Sequence, residues 1–171
     1  FPAAVVFPDS QTVYAELLLA GGDRKAAAAE LEAVGRRLTP RGIQNPAWCP
    51  WRLLLARAVA PEDPARARAL AAEAVRRARA FGAPSAIGQA LRVAAEVAAP
   101  QDRADLLREA VALLEDSPAA YELARTLAAL GTELQDPGLL ARAHHTSREC
   151  GAGALEASTA QALASFAQRA S

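Results

Sequence analysis

Between residues 64 and 81 the apolar positions Ala67, Leu70, Ala71, Ala74, Val75, Ala78 and Phe81 recur at the i, i+3, i+4, i+7 spacing of a helix with one packed face. Arg66, Arg68, Arg76, Arg77 and Arg79 fall on the opposite side, where water can reach them. The same period, read between proline and glycine marks, predicts helices over residues 11–20, 23–38, 50–60, 64–81, 85–98, 102–115, 118–132, 138–150 and 153–169. No segment alternates apolar and polar residues as a half-buried strand would.

The punctuation itself is chemical. Asp63-Pro64, Ser117-Pro118 and Asp136-Pro137 each set a side-chain oxygen before a proline. The oxygen caps an orphan backbone N–H, and proline in the first turn loses no hydrogen bond. Cys49-Pro50 has no capping oxygen, so the helix start there rests on Pro50 alone. Tight corners at residues 20–23, 60–64, 98–102 and 134–138 return roughly every 36–40 residues, the period of a helical-hairpin repeat. One such hairpin cannot bury its own apolar face, so neighbours must stack. Gly88, Gly131 and the many alanines suit close helix contact. The expected fold is all-α: a tetratricopeptide-like array of about four helix pairs plus a terminal helix, wound as a right-handed superhelix over one domain, residues 1–171.

Composition narrows the functions. Nineteen basic and nineteen acidic residues cancel, which leaves no global field to draw nucleic acid or an anionic membrane to this segment. Lys25 is the sole lysine, so the arginine excess reads as coding bias and not as a phosphate signal. Every apolar run is interrupted before the roughly 18 residues a membrane helix needs. The opening FPAAVVFPDS lacks the basic start and continuous apolar middle of a signal peptide. Cys49 and Cys150 stand far apart without ligand spacing, which fits a reduced, cytoplasmic protein with no cofactor or metal. A chain that starts at Phe1 and contains no methionine reads as a piece of something longer.

LLLAGGDRKAAAAELEAVGRRL, NPAWCPWR, ARALAAEAVRRARAFGAPSAIGQALRVAA and LLREAVALLEDSPAAYELARTLAALG occur in that order. Together they resemble the tetratricopeptide-like region of the large ATP-binding LuxR-type (LAL, MalT-like) transcriptional regulators, over residues 14–131. The resemblance implies a nucleotide-binding ATPase module before this array and a helix-turn-helix domain after it. TELQDPGLLARAHHTSRECGAG, which follows Gly131, is several residues shorter than the family's helix pair. Nothing here resembles GxxxxGK[ST] or a recognition helix, so neither ATP hydrolysis nor promoter binding is carried over to this chain.

The candidate contact residues for a protein partner, a second copy or a small-molecule inducer are Trp48, Trp51, Arg52, Tyr14, Arg76 and Arg77. In NPAWCPWR the two prolines force extended or turn backbone before them, making an inter-repeat corner. Trp51, just inside the helix, is expected to pack between the first two hairpins, and Trp48, on the loop, to be exposed. Tyr14 and Tyr121 are expected to serve mainly as packing residues. An enzyme would need the cluster His144, His145, Glu149 and Cys150. The adjacent histidines diverge on a helix, His145 and Glu149 make only two ligands at i, i+4, and Cys150 is expected to be a partly buried, inert thiol. The leading functional reading is therefore a non-catalytic interaction and regulatory module. Inducer sensing in a concave groove is the alternative.

Overall fold

A computed structural model describes residues 7–42 and 45–170, and every regular element among them is helical. The opening residues 1–6, which bear on the signal-peptide reading, lie outside the described residues. The chain forms two compact units, one ending at Ala83 and the next starting at Pro84.

The first unit contains α1 (Pro8–Ala20), α2 (Arg24–Leu38), a single 3₁₀ turn (Thr39–Arg41), α3 (Trp51–Val59) and α4 (Pro64–Phe81). The second contains α5 (Pro84–Val97), α6 (Pro100–Glu115), α7 (Ala120–Leu134), α8 (Pro137–Glu149) and α9 (Gly153–Ala170). All four corners marked in the sequence join the two helices of a pair, and each pair packs on itself: α1 on α2, α3 on α4, α5 on α6, α7 on α8. Corners this short force the joined helices to run antiparallel. First helices of successive pairs also touch, α1 with α3 in one unit and α5 with α7 and α7 with α9 in the other.

Aspartate caps set three of the helix starts. Asp23 Oδ1 accepts from Ala26 N at 3.0 Å, Asp63 Oδ1 from Arg66 N at 2.9 Å, and Asp136 Oδ1 from Gly138 N at 2.8 Å. Proline opens α1, α5 and α6 as well, so those helices start one to three residues earlier than expected. Three starts fall later. Asp23 is the cap of α2, which begins at Arg24. Pro50 occupies the cap position and Trp51 is the first helical residue. At Ser117-Pro118 the chain makes a turn first, with Ala119 N donating to Ser117 Oγ, and α7 begins only at Ala120.

The cores are built from leucine and small residues. In the second unit Leu107, Val111, Leu127 and Leu130 pack with Ala95 and Ala143. In the first, Val34, Leu38 and Cys49 pack with Trp51. On α4 the buried stripe is Ala67, Ala71, Ala74 and Ala78, whereas Phe81, expected on that stripe, is half exposed. α4 is twice as long as α3, so its last turn runs past the start of its partner.

Gly88 and Gly131 sit where helices come close. A Cβ at Gly88 would lie 2.6 Å from Leu114, and one at Gly131 would lie 3.0 Å from Leu140. The least expected core residue is Arg92, only 4% exposed on α5. Its Nη1 donates to Glu96 at 2.9 Å and its Nε to Glu122 of α7 at 3.3 Å, and Glu122 also accepts from Arg125 at 3.1 Å. Burial, with Arg125 nearby, pulls the Arg92 pKa below the usual guanidinium range; Glu122 and Glu96 oppose that shift.

Alanine is worth about 1 kcal/mol more than glycine in an open helix. At Gly88 the clash outweighs that gain, and Gly88→Ala is expected to lose about 1–3 kcal/mol in urea unfolding. Gly153 meets nothing within 4 Å, and Gly153→Ala should cost no stability.

Candidate functional site

The loop that leads into α3 folds around Asn45, whose Oδ1 accepts from Ala47 N at 3.0 Å and Trp48 N at 3.2 Å. This side-chain turn swings the chain back so that Cys49 enters the core and Trp51 starts α3. Trp51 then lays its indole on the bare backbone of Gly35 in α2, where a Cβ would sit 2.6 Å from the ring. The guanidinium of Arg52 covers the ring at 4.1 Å from its centroid.

Part of that indole remains open. With Gly35, Leu55 of α3 and Leu70 of α4 it forms the floor of a groove of about 620 Å³. The rim is charged: Glu32 and Arg36 on α2 face Arg66 on α4. Glu32 is shared, accepting from Arg66 Nη2 at 2.6 Å while Arg36 Nη1 stands 3.9 Å away. One carboxylate thus serves two guanidiniums. Arg52 lies beside Arg77, and burial, with the like charge of Arg77, pushes its pKa down to about 10. Glu73 pairs with both Arg76 and Arg77.

The candidate residues therefore separate. Trp51 both packs and lines the groove, and Arg52 stacks on it. Trp48 is 44% exposed but stands outside the groove lining. Arg76 and Arg77 are engaged by Glu73 on their own helix. Tyr14 and Tyr121, expected as packing residues, are each about half exposed, the latter with Arg125 5.5 Å from its ring centroid. Gly35, Glu32 and Leu70 were missed, because only the fold brings the second and fourth helices to either side of the third. The sole hint in sequence was a glycine inside a helix, AVGRR, which marks a close approach.

The histidine and cysteine cluster does not assemble. His144 Nδ1 is turned to the Glu156 carbonyl at 3.2 Å and to Thr159 Oγ1 at 3.3 Å, which ties α8 to α9. His145 Nε2 meets Glu149 at 3.3 Å on an exposed surface. Cys150 is exposed, where a partly buried thiol was expected, because it sits just past the end of α8; its Sγ donates to the Ser147 carbonyl at 3.5 Å. Among the described residues no three histidine, cysteine or acidic side chains gather around a point that could hold a metal, and no helix is long and apolar enough to cross a membrane.

Compared with known proteins, the chain matches no protein-family model and no curated sequence.

Two measurements check this geometry. Trp51→Ala should lose about 3 kcal/mol in chemical denaturation through the cavity left on Gly35, whereas Trp48→Ala should stay within about 1 kcal/mol of the parent. In a thiol titration with a chromogenic disulfide, Cys150 should react promptly. Cys49 is 5% exposed, and burial raises its pKa above the ordinary thiol value, so it should react only once denaturant unfolds the chain.

Proposed function

We propose that this chain is a non-catalytic helical-repeat module that controls a larger LuxR-type regulator by binding a protein partner or a second copy of itself. The observation that carries the reading is the groove across α2, α3 and α4, an apolar floor with a charged rim whose carboxylate, Glu32, is held by Arg66. Four in-register hairpin corners and the loop stretches NPAWCPWR and FGAPSAIGQALR support it. Extended in the manner the resemblance implies, such pairs wind as a right-handed tetratricopeptide-like superhelix. The signal would pass to an ATPase module before the array and a helix-turn-helix domain after it, in the cytoplasm, without DNA or membrane contact by this segment.

The alternative, a small-molecule inducer sensor, draws on the aromatic wall that Trp51 gives the groove. The open form of the trough weighs against it, since small ligands bind where most of their surface is enclosed. A metabolite screen read by tryptophan fluorescence addresses that alternative.

The regulator reading is tested by the reading frame on both sides of the segment. A phosphate-binding GxxxxGK[ST] loop upstream and a helix-turn-helix downstream are expected. A start codon directly before Phe1 would defeat it.

A further inference from the structure

Among the described residues, four of the eight exposed large hydrophobic side chains lie on and just before α1. Phe7, Val13, Tyr14 and Leu17 are each more than half exposed. α1 packs on α2 and α3 and buries Thr12 and Ala15, which leaves Val13, Tyr14 and Leu17 on its outward side. Val13 and Leu17 stand at i, i+4, the spacing with which a helix presents side chains to a groove. α1 also carries two acidic residues, Asp9 and Glu16, both exposed, and no basic one.

The groove over Trp51 has the opposite character at its rim. Arg36 and Arg66 share the single carboxylate of Glu32, so two guanidiniums at the rim stand against one carboxylate. Its floor offers an indole and two leucines to apolar side chains. An acidic helix with an exposed apolar strip and an arginine-rimmed apolar groove are complementary, and the fold holds them apart in one molecule because α1 is fixed against α2 and α3.

We propose that α1 of one copy docks in the α2–α3–α4 groove of a second copy, with Val13, Tyr14 and Leu17 on Trp51, Leu55 and Leu70 and with Asp9 and Glu16 facing Arg36 and Arg66. This rests on the interaction-module reading and names its partner. The two surfaces differ, so the contact is head-to-tail: a pair leaves one α1 and one groove open, and association continues beyond the dimer.

Sedimentation of the full chain across a micromolar to millimolar series tests this. The wild type should show species beyond the dimer, weakened by added salt because the rim charges are exposed. Leu17→Lys spoils α1, Arg36→Glu spoils the groove, and both positions are well exposed, so the folds should survive, with circular dichroism as the check. Each variant alone should associate at least about tenfold more weakly. Mixed in equal amounts they should form a dimer and nothing larger, since one supplies the intact groove and the other the intact α1. Arg68→Glu, on an exposed part of α4 outside the groove, should behave as wild type. A wild type that is monomeric throughout the series overturns the proposal, as does assembly that both variants leave unchanged or a mixture that stays monomeric. Those failures leave the regulator reading to its own test, the flanking reading frame.

Discussion

The structure depends on how closely its helices approach, and small residues set that distance. Ala67, Ala71, Ala74 and Ala78 give α4 a buried face with almost no side chain standing off the backbone. Where even a methyl group is too much, glycine takes over, and Leu114 and Leu140 rest directly on the backbones of Gly88 and Gly131. Packing of this kind gains from many weak dispersion contacts, each of which falls away with a gap of less than an ångström. The leucines then supply the bulk that an alanine-rich surface lacks.

The Trp51–Gly35 contact applies the same rule and produces the groove. A large flat ring lies against a helix with no side chain in its way, so the first turn of α3 is held firmly against α2 while part of the ring lines the groove. Arg52 covers part of the ring, a cation over an aromatic face. The surface that looks suited to binding is thus a by-product of core packing at the corner between two hairpins. Its rigidity follows from that origin, because the ring cannot leave Gly35 without opening a void.

Arg92 introduces a different constraint into the second unit. A guanidinium taken out of water is tolerated only with carboxylates in contact, and here Glu122 comes from another helix. The pair adds little to stability compared with an apolar core, but a slip of α5 against α7 would cost Arg92 its Glu122 contact and leave it only Glu96 on its own helix. Leucine and alanine contacts alone discriminate register far less sharply. The polar network and the small-residue seams therefore divide the work, one selecting the alignment and the other supplying cohesion.

Helix content, the pairing of helices and the four corners were legible in the chain because they are local: a 3.6-residue period, an aspartate before a proline, a glycine pair at a turn. Helix ends were less so. Ser117-Pro118 has the signature of a start yet makes a turn, since the same hydroxyl can cap a helix or close a turn and only the position of α6 decides which. Trp51 was readable as a packer from its place after Pro50, and Trp48 as exposed from its loop. The groove was not, because Glu32, Gly35 and Leu70 are scattered over two helices and acquire a common site only when α2 and α4 flank α3. Nor could the sequence separate Arg92 from the other arginines, as burial belongs to the packing of neighbours and not to the residue. The sequence by itself determined which segments are helical and where they turn back, because those are short-range energies; the tertiary structure alone decided which side chains share a surface, because that requires residues far apart in the chain to meet.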